Sequence, residues 1–174
     1  MPDKLITEIP LIRRYSRNNE AADWWFRDYV KFRLNMSNAE LDRVVHETTD
    51  AVWKQIDCIA CANCCKTLQI EVDADDVRRL AKRVAMPERA FAQKYVRRDT
   101  DKRQHLVSSP CAFLGPDGAC TVYEDRPKAC RDFPYLHETN FRSRSMTMIE
   151  NAATCPIVFN VLQSLKKTLT SIKK

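Results

Sequence analysis

Four cysteines fall within eight residues of this chain, in the pattern C-x2-C-x2-C-C. This cysteine run consists of Cys58, Cys61, Cys64 and Cys65. Four cysteines this close along a chain project in different directions, so they cannot all serve one apolar face as small hydrophobic residues. Cysteines two residues apart in one turn form disulfides mainly in redox motifs. Neighbours such as Cys64 and Cys65 bridge only with strain, because bonding requires Cα atoms about 4.4–6.8 Å apart. Both sulfurs of a C-x2-C turn can instead point at one ion, as in zinc and iron–sulfur sites.

The chain has eight cysteines, and the other four lie C-terminal to the run, at Cys111, Cys120, Cys130 and Cys155. Eight thiols would fill two four-thiolate sites, or one cluster together with a second metal or a thiol pair. We predict that all eight are metal ligands. Because the side chains of adjacent residues diverge, we also expect that Cys64 and Cys65 do not ligate one ion side by side.

The later cysteines lie in a segment with turn chemistry. The Gly-Pro-Asp-Gly tetrapeptide at 115–118 separates two short runs, and it predicts a hairpin that brings the first two of these cysteines side by side. Arg126 and Arg131 flank Cys130. Guanidinium groups near thiolates would offset the negative charge of a four-thiolate site. For each arginine, an ordinary surface position without this role is an equally weighted alternative.

Four motifs in this region resemble a known family. They are the C-x2-C-x2-C-C run, P-C-x-F-L at 110–114, G-x-C-x-V-Y at 118–123 and R-P-x-x-C-R-x-F-P at 126–134. Together they are similar to the YkgJ-type cysteine-cluster family, whose shared domain is described as zinc- or iron-chelating. The resemblance extends over residues 58–155 and implies that all eight cysteines match the family's cysteines. The same domain occurs in flagellin lysine methylases, but nothing in this chain resembles a methyl-donor site.

The spacing of the cysteines bears on the identity of the metal. C-x2-C-x2-C is typical of the three closely spaced ligands of ferredoxin-type clusters, and Cys155 followed by Pro156 resembles their remote fourth ligand. Zinc sites more often use two separate C-x2-C knuckles. We therefore expect an iron–sulfur cluster, with one or two zinc ions as the alternative.

The sequence predicts a mainly α fold with short β-hairpin and strand elements (α+β), organised around a cysteine-rich metal site. These elements must position the cysteines. We expect residues 1–57 to form an N-terminal helical extension packed on the core. Residues 58–156 would form the cysteine-cluster metal-binding domain. Residues 157–174 would form a C-terminal amphipathic helix of the same globule.

Capping residues and prolines mark the expected helix starts. These starts lie at Ser37 with Glu40, at Asp73 or Asp75, at Pro87 with Glu88, and at Cys155 with Pro156. The last helix carries an apolar stripe of Ile157, Val161, Leu165, Leu169 and Ile172. Strands are predicted at 67–72, 105–107 and 141–149, and the charged segment 97–104 is predicted to be a loop.

A dense aromatic block lies near the N-terminus. It comprises Trp24, Trp25, Phe26, Tyr29, Val30, Phe32 and Leu34. One solvated helix does not need so many large apolar side chains, so we expect the block to pack onto the rest of the domain. The alternative is an exposed surface that contacts an unidentified protein partner or ligand.

Composition excludes several classes of function. The chain has only two glycines, so the usual Gly-rich phosphate cradles and the nucleophile elbow are absent. Most of the net charge of +6 lies in residues 142–174, chiefly on the last helix, where lysines suit the helix dipole, so nucleic-acid binding is not expected. No run of about 18 apolar residues occurs, so we expect no membrane span and a cytoplasmic location, where cysteines stay reduced or bind metal.

The leading interpretation is a cytosolic metal-binding protein whose eight cysteines coordinate an iron–sulfur cluster or zinc. Its role would be structural, metal-handling or electron-transferring, and we do not expect it to be an enzyme by itself. One alternative is a thiol redox enzyme or sensor, because C-x2-C pairs support thiol exchange, although no thioredoxin-like βαβ pattern surrounds Cys58 and Cys61. Another is a protein-interaction module that uses the aromatic block.

Overall fold

Helices dominate this computed structural model, which describes residues 4–171. In chain order the helices are α1 (Ile9–Asn18), α2 (Glu20–Phe32), α3 (Asn38–Trp53), α4 (Cys58–Cys61), α5 (Asn63–Thr67), α6 (Ala74–Arg83), α7 (Glu88–Tyr95), α8 (Lys128–Asp132), α9 (Phe141–Ala152) and α10 (Pro156–Thr170), with a 3-10 turn at Tyr123–Asp125. Two strands, β1 (Val96–Arg98) and β2 (Gln104–Leu106), pair antiparallel. The predicted fold class, mainly α with short β elements, is confirmed. None of the helices in residues 4–171 combines the length and the apolar character needed to cross a bilayer.

The described chain divides into two compact units. The first comprises residues 4–57 and 134–171, and it contains α1, α2, α3, α9 and α10. The second comprises residues 58–133 and contains the other helices and both strands. Seven of the cysteines belong to the second unit, while Cys155 belongs to the first. The domain boundaries expected from the sequence stay a prediction.

Helix α10 supplies much of the core of the first unit, where it packs against α3 and α9. The predicted stripe is buried at Ile157, Val161, Leu165 and Leu169, whereas Ile172 lies outside the described residues. Helix α3 begins as predicted. The Ser37 hydroxyl accepts from the Glu40 amide and the Glu40 carboxylate accepts from the Ser37 amide, so this capping box satisfies amides that the helix itself leaves unpaired.

The aromatic block is only partly buried. Phe26 and Val30, four residues apart on α2, are in the core, which confirms the predicted packing for that face. Trp25 and Phe32 lie on other faces, and their exposed fractions are 53% and 70%. The alternative, in which the aromatic block contacts a protein partner, requires exposed side chains of this kind. It stays a prediction.

The strand predicted at 141–149 is wrong, because this segment lies in helix α9. In a strand Met146 and Met148 would face the same side, but Met148 is buried and Met146 is exposed. The Asp42 carboxylate, from α3, accepts from the amides of Asn140 and Phe141 at 2.6 and 2.8 Å. This nonlocal cap satisfies the start of the helix, and no local pattern in 141–149 reveals it.

The second unit is built around α6 and α7. Asp73 caps α6 through a reciprocal capping box with Asp76, as the sequence predicted, and Pro87 precedes the first residue of α7. The core beneath these helices contains the rings of Phe91 and Phe113, which stack with centroids 6.2 Å apart. Three cysteines, which are Cys111, Cys120 and Cys130, pack partly buried against the same core.

The strand predictions of this unit are mixed. The strand expected at 105–107 is confirmed as β2, shifted by one residue. The strand expected at 67–72 is reduced to its end, because α5 extends to Thr67. Glu71 forms an antiparallel bridge with His105, and the backbones of Ile70 and Val72 bond to β2 at 2.9 Å. The loop expected at 97–104 is correct in its middle, while its ends belong to β1 and β2. Strands of three residues leave too short a pattern to predict from sequence.

Candidate metal centre

The cysteine run folds into two consecutive helical turns. Cys58 and Cys61 begin and end α4, and Cys64 and Cys65 lie in α5. Between the two helices Ala62 has a left-handed backbone with φ of 46°, and its amide donates to the Cys58 carbonyl at 2.8 Å. A left-handed residue ends one helical turn and lets the next begin in a new direction. Four thiols therefore occupy one short segment, and of these four cysteines only Cys58 is exposed.

The hairpin predicted around 115–118 is present. The Gly118 amide donates to the Gly115 carbonyl at 3.1 Å, and the Gly115 amide donates to the Ala119 carbonyl at 2.7 Å. Leu114 and Cys120 form an antiparallel bridge at the base of this turn. The turn therefore carries the chain back toward Cys111, as the sequence predicted.

Backbone contacts join this hairpin to the cysteine run. The Cys111 amide donates to the Cys65 carbonyl at 2.8 Å, and the Ser109 hydroxyl donates to the Lys66 carbonyl at 3.0 Å. At the tip of the hairpin, Gly118 lies so close to the run that an added Cβ would be 2.5 Å from the Ile59 carbonyl oxygen. These contacts bring two cysteine-bearing segments together that are 46 residues apart at Cys65 and Cys111.

Four thiols form a mutually interacting group, which we call the thiol tetrad: Cys65, Cys111, Cys120 and Cys130. Burial is the largest cause that raises the pKa of three of them, and the pKa of Cys130 reaches about 12. For Cys65 the largest cause is a hydrogen bond with the sulfur of Cys64. Beyond these causes, every pair within the tetrad interacts, because the charge of one thiolate raises the pKa of the other. Without a bound metal ion the tetrad thiols are therefore protonated at neutral pH.

The sulfurs of Cys64 and Cys65 lie 3.9 Å apart. The premise that these adjacent side chains diverge is therefore wrong. Two thiolates bound to one tetrahedral zinc at about 2.3 Å are separated by about 3.8 Å, so the geometry allows both to ligate one ion.

Cations next to the tetrad act against burial and thiolate repulsion. Burial raises the pKa of Cys120 and Cys130, while the Arg126 guanidinium lowers both. This interaction supports the role predicted for Arg126. Arg131 instead donates to the Arg126 carbonyl at 2.6 Å.

Sequence reasoning missed Lys66 as a further cation near the tetrad. The hydrogen bond between Cys65 and Cys64, together with burial, raises the pKa of Cys65, and the Lys66 ammonium opposes both effects. The same ammonium donates to the Cys61 carbonyl at 3.0 Å, which holds it against the run. Its position directly after Cys65 was the available signal.

Cys155 lies in the first unit, where it is buried at the N-cap of α10, as the sequence predicted for the start of that helix. Its role as a metal ligand stays a prediction.

A thiophilic metal fits the chemistry of these donors. Thiolates are the usual ligands of structural zinc and of iron–sulfur clusters. The tetrad supplies four thiols, three of which pack against an apolar core. Nearby cations would offset the excess negative charge of such a site. Over residues 4–171, no group of three or more His, Cys, Asp or Glu side chains is arranged to hold an ion. The fit is therefore one of donor chemistry and not of a closed coordination shell.

Comparison with known proteins gave one match. A family model described as CxxCxxCC, "Putative zinc- or iron-chelating domain", matches residues 57–156, which is more than half of the chain. No curated protein and no solved structure matches. The match agrees with the resemblance that the cysteine motifs indicated, and it includes the run, the hairpin and Cys130.

Proposed function

Because this chain belongs to the CxxCxxCC family of zinc- or iron-chelating domains, we propose that its cysteines bind a metal centre with the thiol tetrad as its core. The observation that carries the proposal is the mutual interaction of all four tetrad thiols, which come from three separate parts of the second unit. A four-thiolate site of this kind can hold zinc or an iron–sulfur cluster. The C-x2-C-x2-C spacing favours the cluster, so we propose iron–sulfur as the occupant.

The remaining cysteines of the run are proposed as further ligands. Cys64 lies beside Cys65, and Cys58 and Cys61 occupy the turn that precedes them. They would complete the site or hold a second ion. A metal that depends on thiolates and on eight reduced cysteines suits a reducing compartment, so we propose a cytoplasmic location.

The proposed role of the metal is structural. Metal–thiolate bonds would tie the cysteine run, the hairpin and α8 to one another across a unit whose strands are only three residues long. A bound metal supplies Lewis acidity, and in a cluster also one-electron chemistry. The chain's own contribution is to hold the thiols against the core and to place Arg126 and Lys66 beside them.

A thiol redox enzyme has less support. Nucleophilic cysteines need a lowered pKa, because the thiolate is the reacting species. Hydrogen bonding to Cys64 raises the pKa of Cys65, and burial raises the pKa of the other tetrad members. These four thiols are therefore poor nucleophiles in the absence of a metal.

The experiment is anaerobic purification of the full chain, followed by elemental analysis and an optical spectrum. A visible band that dithionite bleaches, with iron and sulfide bound, supports the cluster. A colourless protein with stoichiometric zinc supports metal binding and rejects the cluster. Cys130→Ser should remove metal from the tetrad in either case. Folded protein that contains neither metal and reacts at every thiol with an alkylating agent refutes the proposal.

A further inference from the structure

Helix α6 carries two acid–arginine pairs of the same spacing but of very different surroundings. Asp75 and Arg78 form an ion pair of 2.7 Å with both side chains exposed. Asp76 and Arg79 form a pair of 2.5 Å in which Asp76 is only 2% exposed. A buried carboxylate is costly to desolvate, and its hydrogen bonds must offset that cost. The other hydrogen-bond partners of Asp76 and Arg79 lie outside α6.

Asp76 binds backbone outside its own helix. Besides its capping-box contact with the Asp73 amide, one carboxylate oxygen accepts from the Lys128 amide at 3.1 Å. Lys128 is the first residue of α8 and lies two residues before Cys130. The carboxylate therefore fixes the start of the short helix that carries this tetrad member.

The Arg79 guanidinium donates to backbone carbonyls of the residues just before α8. Its Nε donates to the Asp125 carbonyl at 3.1 Å, and one Nη donates to the Arg126 carbonyl at 3.0 Å. The planar guanidinium can contact both carbonyls and the Asp76 carboxylate at once, because its five donors are arranged as a rigid fork. A lysine ammonium cannot reproduce this geometry.

We propose that the Asp76–Arg79 pair positions Cys130 for metal ligation, an inference that rests on the proposed metal centre. Arg126 and Pro127 connect the 3-10 turn to α8, and α6 bonds the backbone on both sides of this connection, at the Asp125 and Arg126 carbonyls and at the Lys128 amide. The pair thus fixes where α8 begins. The first turn of that helix then fixes the position of the Cys130 sulfur. Groups that orient a metal ligand in this way typically contribute about 10- to 100-fold to metal affinity.

The test compares Arg79→Lys with Arg78→Lys in the full-length protein. Arg79→Lys keeps the charge and the capping box but loses the fork, and Arg78→Lys makes the same change in the exposed pair. Zinc is added to metal-free, reduced protein, and the dissociation constant is measured by competition with a chelator. Asp76→Asn and Asp75→Asn form a second matched pair, which keeps the test usable should one variant fold poorly.

A second measurement separates positioning from general stability. Each zinc-loaded variant is alkylated, and the modified cysteines are identified by mass spectrometry. We expect Arg79→Lys to weaken zinc binding by about 10- to 100-fold and to expose Cys130 to alkylation ahead of Cys111 and Cys120. Arg78→Lys should match the wild-type chain in both respects.

The outcomes also separate this inference from the proposed function. If the wild-type chain binds zinc and Arg79→Lys behaves as Arg78→Lys does, the inference fails and the metal centre stands. If Arg79→Lys exposes all tetrad thiols equally, the pair is only a stabilising contact, and the inference again fails. A wild-type chain that binds neither zinc nor iron would remove the metal centre itself.

Discussion

Gly118 offers the sharpest test of how the hairpin meets the cysteine run. Its φ is +84°, a left-handed value that residues with a Cβ adopt only with strain. An alanine Cβ at this position would lie 2.5 Å from the Ile59 carbonyl oxygen, which is far closer than such atoms approach. Gly118→Ala should therefore push the hairpin away from the run.

The magnitude follows from three contributions. A left-handed alanine costs about 1–2 kcal/mol relative to glycine. Forcing an extra carbon against fixed backbone costs about 1–3 kcal/mol. The alanine reduces the entropy of the unfolded chain, which offsets about 0.4–1 kcal/mol. The free energy of unfolding should fall by about 1–4.5 kcal/mol.

Gly115→Ala is the matched control, since these are the only two glycines of the chain. The φ of Gly115 lies outside the left-handed region. An added Cβ would be 2.7 Å from the Asp117 carboxylate oxygen, at the end of a side chain that can rotate away, and 3.1 Å from the Ala119 carbonyl oxygen, which must shift slightly. This variant should cost less than Gly118→Ala, because it strains no left-handed backbone and its closest contact is a side chain. Urea unfolding of both variants under reducing, metal-free conditions measures the difference. Equal stabilities for the two variants would refute the close approach of Gly118 to the run.

Three further predictions concern charge and capping. Because burial raises the pKa of Cys130 from 9.0 to about 12, the folded metal-free protein keeps a proton that the unfolded chain loses, so stability should fall as the pH rises from 9 toward 12. Measured by urea titration, the stability of Cys130→Ser should fall less over this pH range. A fall identical to that of the wild-type chain would contradict a raised pKa at Cys130. Lys166→Met leaves the Asp23 carboxylate buried without its ion-pair partner and should cost about 3–5 kcal/mol, whereas Asp28→Asn, in an exposed pair, should cost under about 1 kcal/mol. Ser37→Ala should cost about 1 kcal/mol in the same assay, and no loss would count against the capping box.

Local signals in the sequence identified the donors and several helix starts. The Ser37 and Asp73 caps, the Pro87 start and the glycine turn at 115–118 each depend on residues within four positions of one another. Such interactions are encoded by spacing alone, so they are predictable. The apolar stripe of α10 was predictable for the same reason, because its period matches the helix.

Two of the errors concern helix α9 and the adjacent cysteines of α5, and they have different causes. Alternating methionines predicted a strand, but the Asp42 carboxylate on α3 caps the segment as helix α9. Adjacent cysteines were expected to diverge, yet the helical geometry of α5 leaves the sulfurs of Cys64 and Cys65 3.9 Å apart. In both cases a local rule was correct in general and was overridden by the actual backbone.

The sequence by itself determined which atoms are available: eight thiols, a run that packs four of them into eight residues, and a turn that reverses the chain between two others. Only the tertiary structure decided that Cys65, Cys111, Cys120 and Cys130 form one tetrad and that the Asp76–Arg79 pair on α6 bonds the backbone at the start of α8. The physical reason is range. Covalent spacing fixes geometry over one or two turns, whereas the meeting of segments tens of residues apart depends on how the whole core packs.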